Sequence, residues 1–181
     1  MNINCSIIVD FKKNKSLDNL NKIKDSIYEI FLNSHHPFLP THLTLIKWSA
    51  SKKNIEPNLF KINPDFNRII KTTSLTLSKN KKHLWFEVKN EMRIKKIVEK
   101  YYANLYLFDI KAADIFKTEV YHISLVSNVN IHSKIKGLLK WLEESNSEIL
   151  RNGLSLKPNS LLYCEKHKTK GWFVQHKIQQ L

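Results

Sequence analysis

The sequence predicts a single α+β domain, residues 1–181, that is built from two similar strand–helix–strand units. The first observation is a pair of tetrads, His42–Leu45 and His122–Leu125, which both read histidine, apolar, hydroxyl, apolar. The second is their context: Ser6, in an apolar run, lies 36 positions before His42. In the same way, Leu84 lies 38 positions before His122. The third is the glycine count of only 3, which favours two lobes in one domain over two domains with a linker.

The first unit is predicted to be a strand, a helix and a second strand. The apolar, β-branched run Cys5–Phe11 is typical of a strand. Ser16 is a candidate helix cap. Residues 17–33 then carry apolar side chains at helical spacing: Leu20, Ile23, Ile27, Ile30 and Phe31. The turn-like stretch Asn33–Pro40 leads into a strand that contains the first tetrad.

The second unit repeats this order. The run His83–Val88 predicts a strand, and residues 91–104 predict an amphipathic helix. A loop and a short strand lead to the second tetrad. The helix is indicated by apolar residues on one side: Ile94, Ile97, Val98, Tyr101 and Leu105.

Further elements are predicted around the two units. Residues 69–78 are typical of a strand, and Ser133 is a candidate cap for a helix that reaches about residue 147. The C-terminal part predicts a hairpin with a basic turn at residues 166–171, between the strands Ser160–Glu165 and Trp172–Ile178.

The tetrads carry the chemistry that the sequence offers. Side chains alternate along a strand, so His42 and Thr44 share one face, and His122 and Ser124 do the same. A fold that joined the two strands would place two imidazoles and two hydroxyls together. Imidazole can act as base or acid near neutral pH, and hydroxyls can donate hydrogen bonds to phosphate oxygens. The four residues therefore suit cleavage of a phosphodiester, without deciding which histidine is the base.

The composition favours a soluble protein with an anionic partner. The 30 Lys and Arg residues outnumber 16 Asp and Glu residues, which gives a formal net charge of +14 and favours RNA or nucleotides. No apolar stretch reaches the roughly 20 residues of a membrane span. The N-terminal residues lack the pattern of a signal peptide. We expect a monomer in the cytoplasm, with the nucleus as the alternative, and neither a membrane nor an obligate protein partner.

Other reactive residue types receive structural assignments. Cys5 and Cys164 form neither a disulfide framework nor a zinc motif, so we expect reduced, partly buried thiols. We expect no metal and no cofactor, and the lack of a glycine-rich phosphate loop disfavours an ATP-dependent kinase or helicase. Six histidines outside the tetrads are interpreted as structural: His35, His36, His83, His132, His167 and His176.

Substrate contacts are predicted in two places. In the C-terminal hairpin, Lys166 and Lys168 are candidates for phosphate contacts, and Trp172 and Phe173 for base stacking. Closing a sheet and keeping a hairpin soluble are the alternative roles of these residues. Trp48 would share the histidine face if β alternation continued, so it is either a cleft wall or a packing residue. Tyr121, by the same alternation, points away from the histidines.

The two tetrads, 80 positions apart in a duplicated context, resemble the motifs of the 2H phosphoesterase superfamily. The resemblance covers roughly residues 5–178 and is specific in the tetrads. It implies a bilobal α+β fold with two antiparallel sheets that line a central cleft, and with helices outside. It also implies that His42 and His122 are the catalytic pair, that Thr44 and Ser124 hold phosphate oxygens, and that no metal takes part.

The sequence thus predicts a metal-independent phosphodiesterase. The favoured substrates are small 2′,5′-linked or cyclic oligonucleotides, which would make the enzyme an antagonist of nucleotide-based immune signalling. A structured RNA trimmed at its 3′ end and a terminal 2′,3′-cyclic phosphate are the alternatives within this class. A non-catalytic RNA-binding module on the same fold is the alternative from another class, although it would have no need of the histidine–hydroxyl pairs.

Overall fold

The structure is a computed structural model, and it describes the chain except for several short segments. Those segments are residues 1, 33–39, 52–55, 63–65, 67, 79–82, 90–91, 117, 119, 127–133, 146–147 and 168–170. The side chains of five further residues also lie outside the described set: Asn2, Leu32, Ser51, His167 and Phe173.

The first unit consists of strand β1 (Asn2–Phe11), helix α1 (Lys15–Ile27) and strand β2 (His42–Ser51). The predicted cap Ser16 is wrong: the side chain of Asn14 caps α1, accepting a hydrogen bond from the backbone N–H of Leu17 at 2.8 Å. The helix also ends earlier than predicted, in a π-helical turn at Tyr28–Leu32. The predicted turn at Asn33–Pro40 lies, apart from Pro40, outside the described residues.

The second unit and the flanking elements follow the predicted order, with boundaries shifted by a few residues. In chain order they are β3 (Ile70–Leu77), β4 (Leu84–Val88), α2 (Met92–Leu107), β5 (Ile115–Phe116), β6 (His122–Val126), α3 (Ile135–Glu144), α4 (Glu148–Asn152), β7 (Ser155–Leu156), β8 (Pro158–His167) and β9 (Gly171–Gln180). The predicted helix up to about residue 147 corresponds to α3, and the short helix α4, which begins after it, was not predicted. The candidate cap Ser133 lies outside the described residues.

The strands form one antiparallel sheet, which confirms the predicted α+β class. Across the described residues the order is β7-β3-β4-β6-β2-β1-β8-β9, and β5 pairs with β2. The two units meet where β2 and β6 pair, with Leu43 opposite Ile123. The two sheets that the resemblance implied are therefore the two halves of a sheet that is continuous at this junction.

The core lies between one face of this sheet and the helices. Leu43 and Ile123 have no exposed surface, and they belong to the same buried cluster as Leu20 of α1 and Val98 of α2. Ile30, predicted on the apolar stripe of the first helix, is 54% exposed. In the described part of the chain, no helix is both long and apolar enough to cross a membrane.

Candidate active site

The pairing of β2 with β6 brings the two tetrads together. Because Leu43 lies opposite Ile123 in an antiparallel pair, the register places His42 across from Ser124 and Thr44 across from His122. Leu43 and Ile123 face the core, so all four tetrad residues lie on the other face of the sheet, here called the site face. The two histidines are diagonal neighbours, a relation that typically separates residues by about 7–8 Å.

Both imidazoles are held in the same way. Nδ1 of His42 lies 2.7 Å from the carbonyl oxygen of Pro40, and Nδ1 of His122 lies 2.9 Å from that of Val120. A carbonyl oxygen can only accept, so in each neutral ring the proton is on Nδ1 and the lone pair is on Nε2. In both rings Nε2 is the atom left to take up or give a proton.

Each tetrad ends in a β-bulge, which interrupts the simple alternation. Ile7 and Ile8 of β1 lie opposite Ile46 and Thr44, so Leu45 is an extra residue in β2. In the second unit, Leu84 and Trp85 of β4 lie opposite Val126 and Ser124, so Leu125 is extra in β6. The two bulges occupy equivalent positions, since Leu45 and Leu125 are the last residues of the two tetrads.

The first bulge makes the substrate-binding prediction for Trp48 wrong. Beyond Leu45 the alternation is reversed, so Trp48 turns into the core, where it has no exposed surface. Its ring stacks on Phe60, with a centroid distance of 5.3 Å. Lys47 turns to the site face in its place, and this residue was not among the predicted site residues.

Burial and nearby positive charges lower the pKa of His42 to about 4. Burial is the largest cause, and the charges of Lys24, Lys47 and His122 act in the same direction. The hydrogen bond to Pro40 acts in the opposite direction. Lys24 belongs to α1, is 7% exposed and donates to the hydroxyl of Thr41 at 3.2 Å. Its own pKa is lowered to about 8, chiefly by burial.

The surroundings of His122 differ. Burial again lowers its pKa, helped by the charges of Lys47 and His83, whereas the hydrogen bond to Val120 and the nearby Glu87 raise it. The ring of Trp85 stacks on the imidazole of His122, with centroids 4.6 Å apart and planes at 26°. An aromatic face next to an imidazole favours its protonated form. Trp85 and Glu87 lie on β4 opposite Ser124 and His122.

The two tetrad hydroxyls are available for a ligand. Thr44 and Ser124 are half-buried, and neither hydroxyl makes a hydrogen bond to any described residue. Their positions across from the two imidazoles would let them donate to an anion that both histidines contact.

Only some of the hairpin residues that were predicted to contact the substrate are seen near the site face. Lys166 and Trp172 are opposite each other in the β8–β9 pair, and Lys47 Nζ lies 5.8 Å from the centroid of the Trp172 ring. The charge of Lys166, together with burial as the larger cause, lowers the pKa of Lys47. Lys168 and the side chain of Phe173 lie outside the described residues.

The remaining candidates are placed away from the chemistry or outside the description. Cys5 and Cys164 are free and buried, and burial raises the pKa of their thiols to about 11 and about 12. Tyr121 is buried, as the alternation predicts, and His176 is exposed on β9. Among the described residues, no group of three or more His, Cys, Asp or Glu side chains could hold a metal. Four of the histidines interpreted as structural cannot be placed: His35, His36, His132 and the side chain of His167.

The comparisons with known proteins find a likeness in structure but none in sequence. No family model matches the chain, and no curated protein matches it. Among solved structures, the chain is similar to Kluyveromyces marxianus Usb1, with 9% sequence identity and a TM-score of 0.47. This likeness covers 94% of the present chain and 96% of the other. A likeness at this level carries no inference about function.

Proposed function

We propose that the protein is a metal-independent phosphodiesterase that cleaves small oligonucleotides by acid–base catalysis with His42 and His122. The Leu43–Ile123 pair carries this proposal, because it supports a site with two imidazoles and two hydroxyls on one face of the sheet. Neither hydroxyl has a hydrogen-bond partner among the residues that the structure describes. Both Nδ1 atoms are engaged by backbone carbonyls, which leaves both Nε2 atoms for proton transfer.

The different surroundings of the two imidazole rings support different roles, one as general base and the other as general acid. His42, with a pKa of about 4 beside Lys24 and Lys47, is neutral near pH 7 and acts as the general base. Burial lowers the pKa of His122 as well, but the stacked ring of Trp85 and the nearby Glu87 act in the opposite direction and favour its imidazolium. No acidic group is among those that shift the pKa of His42, so we assign the role of general acid to His122.

The reaction follows from these roles. Nε2 of His42 removes the proton from the ribose hydroxyl vicinal to the phosphodiester, and the oxygen of that hydroxyl bonds to phosphorus. The bond from phosphorus to O5′ breaks, and Nε2 of His122 gives its proton to O5′. The products are a 2′,3′-cyclic phosphate and a 5′-hydroxyl. Thr44 and Ser124 donate hydrogen bonds to the non-bridging oxygens, and the Lys47 ammonium offsets their charge.

The proposed substrate class is inferred from charge. A formal net charge of +14, together with Lys47 and Lys166 beside the site, favours a polyanion. Among polyanions we favour small 2′,5′-linked or cyclic oligonucleotides, which would make the protein an antagonist of nucleotide-based immune signalling. Trimming of an RNA 3′ end and opening of a 2′,3′-cyclic phosphate are the other reactions that this site can perform.

A substrate panel tests the proposal. Purified protein is incubated in EDTA with 2′,5′-triadenylate, cyclic GMP–AMP, a uridine-tailed RNA and adenosine 2′,3′-cyclic phosphate, and the products are separated by chromatography. We expect turnover of at least one, and a loss of about 10²–10⁴-fold in His42→Ala and in His122→Ala.

The matched control is His176→Ala, since this histidine is exposed on β9, away from the tetrads. It should retain the wild-type rate. Binding of the panel without turnover would support the RNA-binding module and overturn the enzyme. Turnover that survives both tetrad substitutions would show that the chemistry takes place elsewhere.

A further inference from the structure

A cavity of about 450 Å³ lies beside α2, apart from the tetrads. This volume is in the range of pockets that bind small organic ligands. Most of its wall comes from one face of α2, and the rest comes from Lys61, Ile62 and Phe66. Because α2 packs on the core side of the sheet, through Ile94 and Val98, the cavity lies on the opposite side of the sheet from the site face. The catalytic proposal therefore makes no use of it.

Hydrogen bonds hold the walls of the cavity in place. The hydroxyl of Tyr101, on α2, donates to the carbonyl oxygen of Phe60 at 2.7 Å. On the other side, the side-chain amide of Gln179, on β9, accepts from the N–H of Ile62 at 3.0 Å and donates to its carbonyl oxygen at 2.9 Å. The segment that faces α2 is thus fixed from both sides, so the cavity is preformed, as ligand pockets usually are.

Four basic residues line the cavity. Arg93, Lys96 and Lys100 belong to α2, and their spacing of three and four residues places them on one face of the helix. Lys61 lies on the opposite wall. Lys61, Lys96 and Lys100 are exposed, so these cations form the rim of the cavity rather than its floor. Such a rim attracts an anion.

Acidic residues do not cancel this charge. Among the described residues that line the cavity, none is Asp or Glu. Asp65 and Glu91 are close to the lining residues in sequence and lie outside the described part of the chain. Even if both carboxylates stood at the rim, four positive charges would outnumber two negative ones.

The accessible apolar surface of the cavity is aliphatic. Ile62 and Ile97 are partly buried and pack on the edge of the core. The two aromatic side chains of the wall are buried, since Tyr101 is 1% and Phe66 3% exposed. The guanidinium of Arg93 also covers the ring of Phe66, 5.0 Å from its centroid. A nucleobase would find no open aromatic face among the described lining residues, whereas an alkyl chain would bury apolar surface against the isoleucines.

We propose that this cavity binds an amphipathic anion. Its alkyl chain lies against Ile62 and Ile97, and its phosphate or carboxylate head contacts Lys96 and Lys100. Such a ligand has no phosphodiester bond, and its site is separate from the tetrads. The inference therefore goes beyond the proposed function and does not rest on it.

Isothermal titration calorimetry with two defined probes tests the site. Decyl phosphate and decanoate, each below its micelle concentration, are titrated into the wild-type protein. We expect saturable binding of at least one of them, and the tighter of the two identifies the head group. Shortening the chain should weaken binding roughly fourfold per buried methylene. The double variant Lys96→Gln/Lys100→Gln should weaken binding about tenfold or more, the equivalent of one hydrogen bond to a charged group.

The matched control is Lys136→Gln/Lys140→Gln, which removes two exposed lysines at the same spacing from α3. It should bind the probe as the wild type does. Ala103→Trp should abolish binding, because Ala103 is an exposed lining residue and the larger ring would fill the cavity. Thermal unfolding verifies that each variant is folded.

The inference is overturned if neither probe binds, or if the Lys96→Gln/Lys100→Gln and Ala103→Trp variants bind as the wild type does. Probe binding that is lost in His42→Ala but retained in Ala103→Trp would place the anion at the tetrads and overturn it as well. Adenosine 5′-monophosphate is the comparison ligand. If it binds more tightly than decyl phosphate, and this binding is lost in Ala103→Trp, the alkyl chain is the wrong occupant.

Discussion

The two halves of the site share one backbone plan. An offset of 80 positions relates Pro40 to Val120, His42 to His122, Thr44 to Ser124 and Leu45 to Leu125. In both halves, a carbonyl two residues before the histidine fixes Nδ1, and a bulge falls on the last residue of the tetrad. The backbone therefore holds the two imidazole rings in similar ways.

The neighbouring strands make those imidazoles different. Opposite the first tetrad, β1 provides Ile8 and Asp10; opposite the second, β4 provides Trp85 and Glu87. The carboxylate of Asp10 is bound by the backbone and hydroxyl of Ser160, at 2.6 and 2.7 Å, so it is occupied elsewhere. Trp85 and Glu87 instead favour a protonated His122. Under the proposed function, these neighbours make one copy of a duplicated motif the base and the other the acid.

The largest effect expected within this comparison concerns the two hydroxyls. Thr44→Val and Ser124→Ala each remove one donor to the non-bridging oxygens, and each should lower kcat by roughly 10²-fold. Thr44→Ser and Ser124→Thr keep the donor and should retain most activity. Steady-state kinetics on the substrate found in the panel measures this. A lower kcat in only one of the variants Thr44→Val and Ser124→Ala would show that a single hydroxyl contacts the phosphate.

A second prediction concerns Lys24, which has no counterpart among the groups that act on His122. The pKa of Lys24 is about 8 in the fold against 10.5 for an ordinary lysine, a cost on the order of 3 kcal/mol at neutral pH. Lys24→Met should therefore stabilise the protein at pH 7. It should also raise the pKa of His42, so that the acidic limb of the kcat/KM profile moves up from about pH 4.

The sign of the stability effect can be checked by pH. Between pH 8 and 10.5 the unfolded chain binds more protons at this lysine than the fold does, so the penalty shrinks as the pH rises. Urea unfolding of the wild type and Lys24→Met should show a stability gap at pH 7 that narrows towards pH 10. Lys22→Met, at an exposed position of α1, is the control and should show neither effect. A destabilised Lys24→Met would contradict the assignment.

The smallest effect is expected at Trp85. Trp85→Leu removes the ring stacked on His122, which is worth about 0.5–1 kcal/mol to the imidazolium. The pKa of His122 should fall by roughly half a unit, and the basic limb of the profile should move to lower pH. Trp85→Phe should shift it less. Histidine NMR titration separates the two rings, and a shift confined to His42 would contradict the stacking argument.

Local pattern predicted the parts of this site that depend on single strands. The tetrads, the helices between the strands and the burial of Tyr121 follow from alternation and helical spacing. The resemblance implied that His42 and His122 share one cleft, but the direct pairing of their strands was not predicted, because strand pairing over 80 positions is not encoded locally. The stacking of Trp85 on His122 was missed for the same reason.

The wrong prediction for Trp48 and the missed Lys47 share a physical cause. The bulge at Leu45 arises in the pairing of β2 with β1, and it exchanges the faces of Trp48 and Lys47. A strictly alternating strand would have placed Trp48 beside the histidines. Lys24 was missed because lysine side chains are seldom buried. In the fold, its ammonium donates a hydrogen bond to the hydroxyl of Thr41.

The most direct test of the division between the halves uses a substrate in which sulfur replaces the bridging 5′ oxygen at the cleaved bond. A thiolate leaves without a proton, so this substrate needs a general base but no general acid. The account predicts that His122→Ala cleaves it within about tenfold of the wild-type rate, while His42→Ala stays at least about 10²-fold slower. Rescue of His42→Ala instead, or an equal defect in both variants, would contradict it.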